Sequence, residues 1–462
     1  MTGMRAIFTG ETMTSPESSS INTTRLNELL ERHNIPGVSV AVLDQNRVSQ
    51  YVAGVTNVNT GIPVTKDTIF LIGSITKVLT TTLVMQLVDQ GAIDLDQSVR
   101  HYLPTFALAD PESTERVTVR HLLTHTSGIA GDFLQDFGRG DDAVTRYVES
   151  LSTLPILHEV GKQFSYSNSG FMVAGKLVEE LTGQTWHDAL RTRLLEPLGL
   201  RSTVTLPEDA LRYSVAVAHR QTAGAFEVGE MWREFHAGAP AGFTPYATPT
   251  DLLTFAKFHL DRGLAPDGTR ILSEKSAALM QEPQVQSIPS GPFDVSGWGL
   301  GWILNRYGSE PVMGHNGGSS ASLRVLPERQ CAIAVLTNAS GGVNLGRDVI
   351  SDIVQEKFGL AIPNGPESFP AESSTQLANY AGTYQHLGYS ASIEHNNGQL
   401  EMVTGARGSQ PEERVPLDEI DPSTFRGNFR DRGYAKISFL EFDTNGQPGY
   451  LHTGLRAYRR IS

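Results

Sequence analysis

The chain has 462 residues, 39% of them hydrophobic, and a formal net charge of -13. That length accommodates two or three domains with a sizeable core, and the acidic balance argues against a nucleic-acid partner and against a polybasic membrane-surface protein. The single cysteine, Cys331, excludes an internal disulfide framework and a thiolate-rich metal site, and within the apolar run CAIAVLTN it reads as a small buried core residue.

Residues 1–20 carry one Arg and a short apolar patch, far below the roughly 7–15 apolar residues of a secretory core, and read as a disordered tail. No later apolar run reaches the roughly 20 residues that span a bilayer, so the expected location is cytoplasmic and no membrane partner is expected. Thr24 to Asn34 places Leu26, Leu29 and Leu30 at helical spacing before Pro36-Gly37 breaks the helix. VSVAVLDQ and VSQYVAGVTN flank Asn46 as a β-hairpin. From Thr76 to Gln90 a broad apolar face predicts a buried helix, with Gly91 as its stop. Helical and loop-rich sequence then runs to about residue 290, including FMVAGKLVEELTG and DLLTFAKFHLDRG, each closed by a Gly.

β-rich sequence returns at GWGLGWIL, near PVMGHNGG and at CAIAVLTN, ahead of a helix from Leu345 to Phe358. Strands at both ends with helices between predict one sheet closed by distant parts of the chain, in an α/β domain over residues 21–361. Residues 362–374, rich in Pro, Gly and Ser, have the composition of a linker. Residues 375–462 alternate apolar and polar positions between turn signals such as Asn397-Gly398 and Asn445-Gly446, which predicts a small all-β barrel or sandwich with its ends paired.

Two motifs carry chemistry. FLIGSITKVLT holds the chain's one Ser-x-x-Lys, which puts Ser74 and Lys77 on one face of the helix, a single turn apart. A serine hydroxyl is a poor nucleophile unaided. An amine made less basic by burial and by the helix N-terminus can take its proton. The bland reading is an N-capping Ser followed by a surface Lys. The one Tyr-x-Asn, Tyr166 to Asn168, sits in a polar turn before an apolar helix. A phenol beside an ammonium can stand partly as phenolate and relay a proton, while Asn offers donor and acceptor to a substrate amide. Taken alone, that turn would read as a helix cap with a partly buried Tyr.

With VRHLLTHTSGI (Val119 to Ile129), EPLGL (Glu196 to Leu200) and TPTDLLTFAKFHL (Thr248 to Leu260) in the same order, the chain resembles the serine β-lactamase and penicillin-binding-protein superfamily. The resemblance covers about residues 25 to 360. It points to the class C-like branch of esterases, D-aminopeptidases, transacylases and penicillin-binding-protein-type thioesterases. It implies an antiparallel sheet flanked by helices, an all-helical lobe and a site between them. Ser74 is then the nucleophile, Lys77 and Tyr166 proton-transfer partners, and Asn168 a substrate-amide contact. In place of that family's Lys-Thr-Gly stands His315-Asn316-Gly317-Gly318. His236, His386 and His452 also begin His-x-Gly triplets, and only its place before the C-terminal strands selects His315. An unperturbed His titrates near about 6.5, so activity is expected to fall as His315 protonates, and a neutral His binds a β-lactam carboxylate less strongly than Lys. Gly317 and Gly318 let a substrate backbone approach, with the Ser74 and Gly318 amides as the oxyanion hole. The C-terminal segment, from YAGTY onward, resembles the small lipocalin-like domain that follows several such hydrolases.

His121 and His125 are spaced four apart, but Leu122 stands where a zinc-binding His-Glu-x-x-His helix needs Glu, so a cap or packing role is expected and neither metal nor cofactor is. GHNGGSS lacks the ending of a phosphate loop. The expected function is a serine hydrolase acting through a covalent acyl-enzyme on a small-molecule or peptide ester or amide. Its rivals are an acyltransferase or peptide cyclase using the same intermediate and a catalytically silent acyl-binding sensor, against which the intact Ser, Lys and Tyr argue.

Overall fold

A computed structural model describes residues 20–222, 225–229, 235–366, 376–405, 412–430 and 433–462. Residues 1–19 of the expected tail at 1–20 and most of the expected linker at 362–374 lie outside these.

The first helix, Thr23–His33, begins where Asn22 Oδ1 accepts from the Arg25 amide at 2.9 Å, and ends at Asn34 in the left-handed region. It delivers Leu26, Leu29 and Leu30 to the core, as their spacing predicts. The hairpin follows, Gly37–Asp44 and Arg47–Gly54. Its first strand pairs antiparallel with Cys331–Thr337, from Val38 opposite Thr337 to Asp44 opposite Cys331, so the sheet is closed by distant parts of the chain. In spatial order the eight strands are Arg47–Gly54, Gly37–Asp44, Cys331–Thr337, Ala321–Leu326, Glu310–Gly317, Ile303–Tyr307, Val295–Trp298 and Val285–Gln286. Successive side chains alternate between two cores. Val38, Val40 and Val42 pack with the Thr23–His33 and Gly342–Phe358 helices, while Ala41 and Leu43 face the helical lobe.

The Thr76–Asp89 helix is buried on every side from Thr76 to Leu87. Its neighbours are the Asn168–Thr182 helix and a short 3-10 segment, His236–Ala241. Cys331 is buried, as its run predicts.

Three segments differ from the sequence expectation. GWGLGWIL is broken by a turn between Val295–Trp298 and Ile303–Tyr307, because its glycines serve close approach: a Cβ on Gly299 would overlap the Met280 carbonyl. Ala321–Leu326 is a fully buried strand whose interior Arg324 masks its apolar run. A small hairpin, His219–Thr222 with Ala225–Val228, lies inside the stretch expected to be helical.

The C-terminal part is a closed barrel of eight antiparallel strands between Gly382 and Arg460, tied by Tyr384 opposite Arg460 and Gln385 opposite Arg459. Its interior is filled by side chains such as Tyr384, Ile393, Leu417, Phe425 and Phe439. Among the described residues no helix is long and apolar enough to cross a membrane.

Candidate active site

Ser74 lies in a 3-10 turn, Gly73–Ile75, that runs directly into the Thr76–Asp89 helix. Lys77 follows one turn later, fully buried, with Nζ 2.9 Å from Ser74 Oγ. The same nitrogen donates to Asn168 Oδ1 and to the Ala241 carbonyl, both at 2.7 Å. An uncharged amine has two N–H groups and one lone pair. The two acceptors take the N–H groups and leave the lone pair for the Ser74 hydroxyl. Burial holds Lys77 well below the ordinary lysine range, the nearby Arg456 guanidinium pushes it further down, and Asp132 opposes them. Asn168 therefore orients the amine through its oxygen, with its NH₂ end left for other partners.

Tyr166 is buried, with Lys77 Nζ 4.9 Å from its ring centroid and its hydroxyl interacting with Ser74. Burial raises the phenol above its ordinary range despite the Ser74 contact and the Arg456 charge. The ring is thus held as a phenol rather than partly as a phenolate. His125 fixes this ring: it stacks on Tyr166 at 4.2 Å between centroids, and its Nδ1 accepts from the Ser167 amide at 2.9 Å. His121 instead forms a capping box with Thr118, so the two histidines serve packing and a cap.

His315 stands in the strand Glu310–Gly317, 6.3 Å between ring centroids from Tyr166 and edge-on to Trp298. Its Nδ1 donates to the Asn316 carbonyl at 2.7 Å, which fixes the tautomer and leaves a buried Nε2 lone pair with no partner among the described residues. Burial, and then the Lys77 charge, push His315 down to about 3. It is therefore neutral throughout the usual working range, which corrects the expectation of a titration near the unperturbed value. Of the other His-x-Gly histidines, His236 opens the 3-10 segment beside Lys77, whereas His386 and His452 belong to the barrel.

The end of the His315 strand abuts the turn that carries Ser74. A Cβ on Gly317 would overlap the Ile72 carbonyl, and one on Gly73 would press on Gly317 and the Gly318 amide. Gly318 has φ of 56° and is exposed. The Gly318 amide thus lies beside the turn that carries Ser74.

Ala241, Asp132 and Arg456 were not singled out from the sequence, and His125 was expected there only in a cap or packing role. The carbonyl of Ala241 carries no side-chain signal. Asp132 and Arg456 are separated by most of the chain, yet Arg456 Nε and Nη2 meet the two Asp132 oxygens at 2.5 and 2.8 Å. For His125 the quoted HTSGI segment was the available signal. Among the described residues no group of three or more His, Cys, Asp or Glu side chains is placed to hold a metal ion.

Residues 23–354 match the family described as Beta-lactamase. Penicillin-binding protein 4 of Amycolatopsis lactamdurans is 41% identical over 371 residues, covering 79% of this chain and 97% of that protein. The crystal structure of SurE superposes with a TM-score of 0.76 at 27% identity, over 94% of this chain and 97% of that one. A second SurE structure, with D-Leu, gives 0.72 at the same identity and coverage. The D-amino acid amidase of Ochrobactrum anthropi, at 24% identity and a TM-score of 0.57 over 72% of this chain and 98% of that one, shares the fold. With a serine-and-lysine pair held in that fold and a family match across most of its length, the chain belongs to the β-lactamase family.

Proposed function

We propose that the protein is a serine hydrolase that forms a covalent acyl-enzyme at Ser74 on ester or amide substrates. The observation that carries this reading is the Lys77 environment, with two acceptors for its N–H groups and its third contact on Ser74 Oγ. Ser74 Oγ attacks the acyl carbonyl as its proton passes to the Lys77 lone pair. The Ser74 and Gly318 amides hold the resulting oxyanion. When the tetrahedral intermediate collapses, the C–O or C–N bond to the leaving group breaks, and the proton returns from Lys77 through the Tyr166 hydroxyl to the departing atom. Water, deprotonated along the same path in reverse, then releases the acid. Asn168 and the unpartnered His315 Nε2 offer a donor and an acceptor to the substrate.

An acyl donor with a D-configured residue is the favoured substrate class, supported by the SurE structure with D-Leu. Transfer to an amine, including ring closure of a peptide, is the second reading. It is favoured by the barrel loop Gly454–Arg456, which walls the site through the bond from the Tyr166 amide to the Leu455 carbonyl at 2.8 Å and so can restrict water. Turnover of paired D- and L-aminoacyl esters, with and without an added amine, tests both. A D-preference of about tenfold or more is expected, and equal rates on both enantiomers would contradict the stereochemical reading. Amide product in proportion to added amine would establish transfer.

A further inference from the structure

The hairpin of Pro448–Thr453 and Arg456–Arg460 is one of the barrel's contacts with the catalytic domain, beside a backbone bridge between Gly291 and Lys436 and a bond from Ser438 Oγ to the Pro289 carbonyl. His452 Nε2 donates to the Phe164 carbonyl at 2.7 Å, the Leu455 amide donates to Ser290 Oγ at 2.9 Å, and the Ala457 amide donates to Ser165 Oγ at 3.2 Å. Its turn, Gly454-Leu455, has positive φ at both residues and projects Arg456 toward the site. The guanidinium carbon of Arg456 lies 5.2 Å from the centroid of the same Tyr166 ring that faces Lys77 at 4.9 Å. Asp132, from the catalytic domain, grips Arg456 through both oxygens. The Arg456 side chain is 22% exposed and that of Asp132 14%, so the pair is little screened. Nothing in the proton path described above uses either residue.

We propose that Arg456 is a positioning residue of the proton relay, a fixed cation brought by the barrel and locked by Asp132 that sets the charge state in which Lys77 meets Ser74. Two cations around one phenol repel each other. Since Arg456 cannot lose its charge, Lys77 yields its proton. Barrel docking thereby completes the active site rather than only covering it. The inference rests on Lys77 acting as the base for Ser74.

The other groups facing Lys77 leave this assignment clear. His125, from the loop after the Val119–Leu123 helix, and His315, from its strand, are both held neutral chiefly by burial. Tyr166 is held as a phenol. Arg324 lies behind His315 on the neighbouring strand, and His386 of the barrel is 3.5 Å from Asp132. Within this group Arg456 lowers Lys77 and Asp132 raises it. Their removal must therefore move the acid limb of serine reactivity in opposite directions.

The experiment is the rate of fluorophosphonate labelling of the full chain across about pH 4 to 10, in wild type, Arg456→Gln, Arg456→Lys and Asp132→Asn. The expected result is a limb moved up by about one pH unit in Arg456→Gln and down by a similar amount in Asp132→Asn, the size of a charge contact at an effective dielectric of about 20. Arg456→Lys keeps the charge and should stay near wild type. A uniform loss of rate in all three variants without any shift of the limb, or shifts of the same sign in Arg456→Gln and Asp132→Asn, would overturn the proposal. If Arg456→Gln does not fold, Asp132→Asn and Arg456→Lys still decide it. A wild type that takes no label would overturn the Ser74 reading together with this one, whereas a labelled wild type with unmoved limbs overturns this one alone.

Discussion

His315 illustrates how burial redirects the chemistry of a single residue. In water an imidazole titrates near about 6.5, but here it is 2% exposed, faces Lys77 and is pushed down to about 3. Protonating it would bury an imidazolium beside an amine, so the ring stands neutral, with its Nε2 lone pair free to accept. Wild-type acylation of an uncharged ester should therefore show no limb near pH 6.5 from His315, and any acid limb should belong to Lys77. In His315→Lys, a permanent charge replaces the acceptor. The ratio of acylation rates, carboxylate-bearing β-lactam over uncharged ester, should rise by roughly tenfold, the size of one added charge contact in a partly buried site. Stopped-flow acylation with both substrates reads this ratio, and an unchanged ratio would mean His315 does not face the substrate.

At the scale of elements, the site depends on two chain segments touching without side chains between them. The Glu310–Gly317 strand runs against the Gly73–Ile75 turn, and Gly317 is the residue that permits it. Gly317→Ala should fold, since Gly317 is the last residue of a sheet pairing that already holds Met313 to Asn316, but it must displace the strand end from Ile72. A displaced Gly318 amide should cost about 10²-fold in kcat, the low end of what losing an oxyanion donor costs, with KM little changed. Steady-state kinetics on an ester would show it, and wild-type kcat would show that the close approach has no catalytic part.

The same elements explain what could be read from sequence. The Thr76–Asp89 helix, the hairpin around Asn46 and the Ser74–Lys77 pair are local patterns, written in neighbours three or four residues apart. The barrel strands alternate because one face is packed and the other wet, so they too were legible. What escaped is non-local or carried by backbone. The strand Ala321–Leu326 is buried on both faces, yet Ser322 and Arg324 interrupt the continuous apolar run that such a strand would ordinarily show. Ala241 contributes only its carbonyl, and Arg456 becomes part of the site only when the barrel docks.

At the scale of the whole molecule, the Asp132–Arg456 pair joins two folded units. Burial alone would raise Asp132, yet Arg456 and His386 outweigh it and the carboxyl stands well below its ordinary range. A carboxylate depressed in the folded state contributes stability above its unfolded value of about 3.9, and that contribution is lost as pH falls from there toward the folded value. Asp132→Ala should destabilise the protein at neutral pH by about 3 kcal/mol, the lower end for breaking a buried pair, because it strands the Arg456 charge. The gap between wild type and variant should then narrow as pH falls below about 4. Urea unfolding at neutral and acid pH measures both, and a gap that widens in acid would contradict the pairing.

The central claim is that Ser74 carries the acyl group. Intact-mass spectrometry of the full chain, quenched after incubation with D-aminoacyl esters, D-amino-acid amides and β-lactams, tests it most directly. The account predicts a mass increase equal to the acyl group of at least one donor, mapped to the peptide containing Ser74 and lost in a folded Ser74→Ala variant. An adduct of the same mass and extent on Ser74→Ala would contradict it.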